Sequence, residues 1–179
     1  MPYQLNPHMP EEGIPMERYY TAKFGEQGAA MARDMNGSRC GKMGRAVGLD
    51  FSGAKMVINT MRSHLLMEWA ADQSLEKQHS LAEVLFKYHF ADGRNANDVD
   101  TLVLAAEEAG LDGKKAREGL EDRDIRSKVD TMLMAARTVR GITGVPHFEI
   151  TGPNGSSFQM SGAQPPDNFV QVFERLLSK

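Results

Sequence analysis

Patterns typical of β-strands occur only near the two ends of this 179-residue chain. Residues 145–150 and 157–160 alternate apolar and polar side chains around a turn at residues 153–155, which predicts a hairpin. A further short strand is expected at residues 2–5, and Asp167 is expected to cap a final amphipathic helix. Most other residues follow a helical pattern. The predicted fold class is therefore α/β, a small sheet layer with a large all-helical insertion.

The central part of the chain is expected to be helical. From Met16 to Arg140, apolar side chains recur at helical spacing, with glycines and capping residues between the segments. The first helix is expected to break once, near Gly25. Asn97 is followed three residues later by Asp100, which resembles a capping box and predicts that Asn97 caps the next helix.

Composition and charge argue against several function classes. Lys and Arg total 21 against 24 Asp and Glu, and no basic cluster lies beside aromatic residues, so nucleic-acid binding has little support. No apolar run approaches the roughly 20 residues that span a bilayer. The N-terminus has neither a basic stretch nor an apolar signal core, and a single cysteine suits a reducing compartment. The chain is therefore expected to be cytoplasmic.

Cys40 is the only thiol, so the chain has no internal disulfide and no Cys-x-x-C pair. Two neighbouring cations, Arg39 and Lys42, favour the reactive thiolate form. One thiol is able to form a mixed disulfide but has no second cysteine to resolve it. A working monothiol and a bystander cysteine on a helix both remain open, and the bystander is the favoured interpretation.

Metal sites and other catalytic motifs have little support. His64, His79 and His89 lack the spacing of a zinc site, and the acidic loop at residues 92–98 lacks the ligand order of a calcium loop. No nucleophile elbow, phosphate-binding loop or dinucleotide fingerprint is present. No metal and no cofactor is expected.

Five groups of segments carry a resemblance to a known family. They are Leu5-Asn6-Pro7 with Met9-Pro10, Asn59-Thr60 with His64-Leu65, Phe86–Gly93 with Leu102, Ala109–Asp112, and Gly144–Ile150 with Ser161–Pro165. In this order along nearly the whole chain, they resemble the DsbA family of thioredoxin-fold oxidoreductases, and more narrowly its FrnE type. The resemblance implies a thioredoxin-like part formed by residues 1–12 and 124–179, with residues 13–123 as an inserted helical domain.

The chain departs from this family at its redox centre. Family members carry Cys-x-x-C in a strand–helix unit that precedes the segment equivalent to residues 2–5, and no such unit is found here. The expected fold is therefore incomplete at the N-terminus, with a gap in the middle of the sheet. A partner chain, a rearranged sheet or an upstream segment would fill that gap, so a homodimer through the sheet edge is one expectation.

The resemblance implies a thiol–disulfide oxidoreductase or isomerase that acts on protein or peptide thiols and disulfides. In thioredoxin-like folds the proline that corresponds to Pro146 is cis and presents backbone groups to an extended substrate, so Val145, Pro146 and His147 are the candidate substrate-binding residues. No family role carries over to His147 itself. Without Cys-x-x-C, dithiol exchange is expected to be weak or absent. The alternatives are a non-catalytic peptide-binding module, as a monomer or a dimer, and a glutathione-binding transferase or isomerase relative.

Overall fold

The structure is a computed structural model that describes residues 1–178. It divides into two compact units, Met1–Leu5 with Met132–Lys179, and Asn6–Thr131. The division expected from the sequence also joined the two ends of the chain, but it set the boundaries after residues 12 and 123, and as a statement about domains it stays a prediction. Within residues 1–178, no helix is both long and apolar enough to cross a membrane.

The elements follow one another with short connections. In chain order they are β1 (Ile14–Pro15), α1 (Met16–Arg33), α2 (Arg39–Arg45), β2 (Met56–Val57), α3 (Met61–Gln73), α4 (Leu75–Phe86), a π-helical turn (Lys87–Ala91), α5 (Val99–Glu108), α6 (Gly113–Leu120), α7 (Arg123–Thr138), β3 (His147–Thr151), β4 (Ser157–Ser161) and α8 (Pro166–Leu177). β1 pairs antiparallel with β2, and β3 pairs antiparallel with β4.

The larger unit is held together by helix packing. α3 packs against α4 and α6, and α5 packs against α6. Its apolar interior includes Leu66, Leu81 and Leu102, each fully buried. The close approach of α6 to α3 requires glycine at position 119, because a β-carbon on Gly119 would lie 2.5 Å from Cδ1 of Trp69.

The first helix breaks where the sequence predicted. Gly25 has φ 64° and ψ −150°, a conformation outside the helical region that only glycine adopts readily. The prediction of a single break near Gly25 is therefore confirmed.

The predicted cap at Asn97 is wrong. α5 begins one residue later than expected, with Asp98 as its N-cap, and the Asp98 side chain accepts a hydrogen bond from the backbone N–H of Thr101. Asn97 is instead buried, and its amide joins two other segments: the Arg62 backbone N–H donates to Oδ1, and Nδ2 donates to the Glu11 carbonyl.

The predicted hairpin is confirmed in the smaller unit, where His147 pairs with Ser161 and Thr151 pairs with Ser157. The expected strand at residues 2–5 does not form. The Gln4 carbonyl, in this segment, accepts a hydrogen bond from Nη2 of Arg137 at 2.5 Å and not from a neighbouring strand.

The prediction that Asp167 caps the last helix is also wrong. α8 begins at Pro166 with Pro165 at its N-cap position, and Asp167 lies inside the first turn. Proline suits the start of a helix because its φ is already helical and the missing N–H would have no partner inside the helix. The consecutive prolines therefore set the helix start two residues earlier than a side-chain cap at Asp167 would.

Candidate functional site

The candidate loop lies between α7 and β3. The Ile142 backbone N–H donates to the Ala136 carbonyl at 2.9 Å, which closes the end of α7. The Val145–Pro146 peptide bond is cis, and the Val145 residue is 46% exposed. The Pro146 carbonyl accepts a hydrogen bond of 2.8 Å from the Gly162 N–H, which ties the loop to the end of β4. The loop is an exposed edge of the hairpin.

His147 is held from both sides on the first position of β3. Its Nδ1 lies 2.9 Å from Oγ of Ser161, the residue directly opposite it in the hairpin. Its Nε2 lies 3.9 Å from Oε1 of Glu149. The side chain is only 11% exposed, and among the described residues Nε2 is buried without a hydrogen-bond partner. His147 therefore has a fixed ring with one unused polar atom.

Glu149 is the acidic residue of this polar cluster. Its second carboxylate oxygen forms an ion pair with Arg140, which lies two residues beyond the end of α7. Since successive strand residues point to opposite faces, His147 and Glu149 share one face of the hairpin. The result is a chain of polar contacts beside the Val145–Pro146 loop that runs from Arg140 through Glu149 and His147 to Ser161.

The other face of the hairpin packs against α8. The rings of Phe148 and Phe169 meet edge to face, with centroids 4.9 Å apart. Beside this contact lies a shallow groove of about 350 Å³ between β4 and α8. It is lined by Phe158, Met160, Asn168, Gln171, Val172 and Arg175. None of the predicted site residues lines the groove.

Cys40 belongs to the larger unit, whereas the Val145–Pro146 loop belongs to the smaller one. Cys40 is exposed and is the second residue of α2, a helix whose N-cap Ser38 accepts a hydrogen bond from the Gly41 N–H. The structure thus brings Val145, Pro146 and His147 together with one another. Whether Cys40 is reactive stays a prediction.

The three histidines weighed as metal ligands are not grouped around a metal site, and His79 is exposed. Nε2 of His64 lies 3.3 Å from Oγ1 of Thr60. His89 lies in the π-helical turn, and burial lowers its pKa, which favours the neutral ring. Within the described residues, no three His, Cys, Asp or Glu side chains are grouped to hold a metal ion.

Sequence reasoning missed Ser161 and Glu149 as neighbours of His147, and Arg140 as the ion-pair partner of Glu149. The predicted hairpin was sufficient to identify two of these residues. Counting outward from the turn at residues 153–155 places Ser161 opposite His147, and the period of two places Glu149 on the same face. Arg140 carried no such signal, because the path of the chain between α7 and β3 is irregular.

A family model and a solved structure indicate the same family. A sequence model described as "DSBA-like thioredoxin domain" matches residues 1–174. The protein named "Uncharacterized protein YwbO" of Bacillus subtilis (strain 168) is 35% identical over 74 residues, which is 41% of this chain and 37% of that protein. The match therefore spans less than half of that relative's length.

A solved structure extends the likeness to the whole chain. The crystal structure of the probable DsbA oxidoreductase SCO1869 from Streptomyces coelicolor superimposes with a TM-score of 0.80 at 27% sequence identity. The match covers 99% of this chain and 74% of that one. The predicted fold class, thioredoxin-like α/β with a large helical insertion, is thereby confirmed. The chain belongs to the DsbA-like thioredoxin domain family.

Proposed function

We propose that this chain is a DsbA-like protein of the thiol–disulfide oxidoreductase or isomerase type, and that it has little or no dithiol exchange activity of its own. The observation that carries the proposal is the single cysteine in a chain that matches the family over residues 1–174. Dithiol exchange needs a second thiol to release the mixed disulfide that the first one forms. Cys40 has no such partner within these 179 residues.

The proposed partners are protein or peptide thiols and disulfides, contacted through Val145, Pro146 and His147. DsbA-family proteins act on protein thiols, and membership of that family supports this class of partner. The loop is exposed and leads directly into β3, so an extended segment has access to its backbone. Glutathione, which is itself a small peptide thiol, is a further candidate ligand for the same loop.

A second candidate function is a non-catalytic peptide-binding module, as a monomer or a dimer. The half-exposed apolar side chain of Val145 favours it, because the loop offers an apolar contact that needs no thiol chemistry. A single cysteine is also suited to a reducing compartment, and the cytoplasm is the proposed location.

The test is reduction of insulin disulfides by the purified chain with a thiol donor, run beside Cys40→Ser. We expect both proteins to match the donor-only blank. Activity that is present in the parent and lost in Cys40→Ser would show that Cys40 is a working monothiol, and would overturn the proposal.

Binding of a fluorescent peptide that carries a disulfide is measured on the same two proteins and on Val145→Glu. We expect equal affinity for the parent and Cys40→Ser. For Val145→Glu we expect at least about tenfold weaker binding, since a carboxylate replaces the apolar side chain that the bound peptide would cover. Equal binding by Val145→Glu would exclude the loop as the contact surface.

A further inference from the structure

The groove between β4 and α8 combines apolar side chains with one cation. Phe158 and Met160 of β4 are half-buried along it, Val172 of α8 is buried beneath it, and Arg175 is exposed beside it. The Arg175 guanidinium carbon lies 5.5 Å from the centroid of the Phe158 ring. Within residues 1–178 Arg175 forms no ion pair, and no carboxylate lines the groove. The groove therefore presents a positive charge without a counter-ion.

The outer edge of β4, next to this groove, has no strand beside it. Hydrogen-bonded pairs of an antiparallel hairpin alternate with pairs whose backbone groups point outward. The bond from the Gly162 N–H to the Pro146 carbonyl marks one hydrogen-bonded pair, so Ser157 and Gln159 are of the outward kind. In the part of the chain that the structure describes, β4 pairs with β3 alone. The gap expected in the middle of the sheet lies on the β3 side, so a strand that fills it would leave this edge unchanged.

The open edge and the groove face the same space. Phe148, which is opposite Met160 in the ladder, packs against Phe169 of α8. Side chains alternate along a strand, so Phe158 and Met160 face α8, whereas Ser157 and Gln159 face away from it. A strand added to the edge of β4 would likewise point every second side chain toward the groove. Two side chains of such a strand, two residues apart, would lie beside Phe158 and Met160.

The two ends of the groove differ in chemistry. Arg175 lies over Phe158, whereas the Met160 end is next to the start of α8. A guanidinium group binds a carboxylate through paired hydrogen bonds, and the apolar surface at the other end favours an apolar side chain. A second copy of β4 fits poorly, because residues 157–161 contain no acidic side chain and would leave Arg175 without a counter-ion.

We propose that β4 and α8 bind an extended peptide segment as an added strand, and that this segment carries a carboxylate and an apolar side chain two residues apart. The carboxylate pairs with Arg175, and the apolar side chain packs on Met160. The backbone of the segment bonds to the outward groups of Ser157 and Gln159. Strand addition of this kind takes its affinity from the backbone and its specificity from alternate side chains. The site is separate from the Val145–Pro146 loop, since no residue of that loop lines the groove.

The test uses seven-residue fluorescent threonine peptides, blocked at both ends, with one leucine and one glutamate two positions apart in either order. The control has the same composition, but its leucine and glutamate are adjacent, so that the two side chains point to opposite faces. Affinity for the purified chain is measured by fluorescence anisotropy. We expect one of the two orders to bind, and the control to bind at least about tenfold more weakly.

Backbone pairing is tested on the peptide that binds. The N–H groups of two successive residues in an added strand point in opposite directions, so only one of them faces β4. We expect methylation of one N–H to weaken binding at least about tenfold and methylation of the next to leave it unchanged. Binding that survives both methylations would overturn the added strand.

Two pairs of variants locate the contact on the protein. Arg175→Gln removes the cation and Arg175→Lys keeps it, whereas Gln159→Pro removes an outward N–H that an edge strand can lose and Gln159→Ala keeps it. We expect Arg175→Gln and Gln159→Pro each to weaken binding at least about tenfold, Arg175→Lys to weaken it less, and Gln159→Ala to leave it unchanged. Circular dichroism checks the folding of each variant, and the methylated peptides test the same backbone pairing on the parent chain.

Three results would overturn the proposal. They are no binding of either order, equal binding of the control peptide, and unchanged affinity of Arg175→Gln. Light scattering on the same samples gives the molar mass, and a dimer of twice 19.8 kDa that excludes the peptide would assign the edge to a second copy instead. The probes contain no thiol or disulfide, so their result is independent of the insulin assay and of binding at the Val145–Pro146 loop.

Discussion

Replacing Asn97 with alanine is expected to destabilise the larger unit more than removing the helix cap beside it. The Asn97 side chain is 1% exposed and connects the start of α3 with the segment that precedes β1. Its Oδ1 accepts from the Arg62 N–H at 3.0 Å, and its Nδ2 donates to the Glu11 carbonyl at 3.2 Å. Asn97→Ala leaves both backbone groups without that partner.

The magnitude follows from these two bonds. Leaving a buried donor or acceptor unsatisfied costs about 1–3 kcal/mol, so two partly buried groups together imply about 2–4 kcal/mol. Asp98→Ala removes the hydrogen bonds that the carboxylate accepts at the exposed start of α5, mainly from the Thr101 N–H, and loss of a cap costs about 1 kcal/mol. The free energy of unfolding of each variant is measured by urea denaturation, followed by circular dichroism.

The comparison with Asp98→Ala is the decisive control. If Asn97 were the cap, as the sequence suggested, Asn97→Ala would cost about 1 kcal/mol and Asp98→Ala almost nothing. An equal or smaller loss for Asn97→Ala would therefore refute the buried network. Asn97→Asp adds a further check, because it keeps the acceptor for Arg62 but sets a carboxylate oxygen against the Glu11 carbonyl.

Two further predictions concern the same unit. Gly119→Ala is expected to lower the unfolding midpoint, because the new β-carbon would lie 2.5 Å from the ring of Trp69. Trp69 is the only tryptophan, so its fluorescence reports the unfolding transition. An unchanged midpoint would mean that the ring moves freely. Hydrogen bonds from the Thr101 and Lys115 backbone N–H groups lower the pKa of the helix caps Asp98 and Asp112. The two ionised carboxylates therefore stabilise the fold fully above the ordinary carboxyl pKa, and this contribution is lost as the pH falls through the lowered pKa values. The double variant Asp98→Asn/Asp112→Asn is expected to lose less stability than the parent below about pH 4, and equal losses would contradict this role.

The elements predicted well are those specified by residues close together in the chain. The hairpin follows from strict alternation on both sides of a turn, and its ladder runs from His147–Ser161 to Thr151–Ser157 as that pattern requires. The break in α1 follows from Gly25 alone, because few other residues adopt its backbone conformation.

The elements predicted wrongly depend on partners far away in the sequence. Asn97 has the side chain of a good cap, and nothing local shows that the Glu11 carbonyl, 86 residues earlier, takes its amide instead. Residues 2–5 have a strand-like pattern, but a strand needs a neighbouring strand, and the Gln4 carbonyl is bound by Arg137. The ion pair of Arg140 with Glu149 was missed for the same reason, because an irregular connection separates them.

The smaller unit shows why the family of this chain does not settle its chemistry. The hairpin is held by its own ladder and by Phe148 against Phe169, and neither contact involves a thiol. The same fold is therefore compatible with a chain that has one cysteine, and the fold alone does not specify catalysis. The loop exposes backbone groups and the apolar Val145, whereas the His147 side chain beside them is only 11% exposed. Because the proposed role of the loop is to bind extended segments, peptide binding by Val145→Glu beside the parent is the property to measure first.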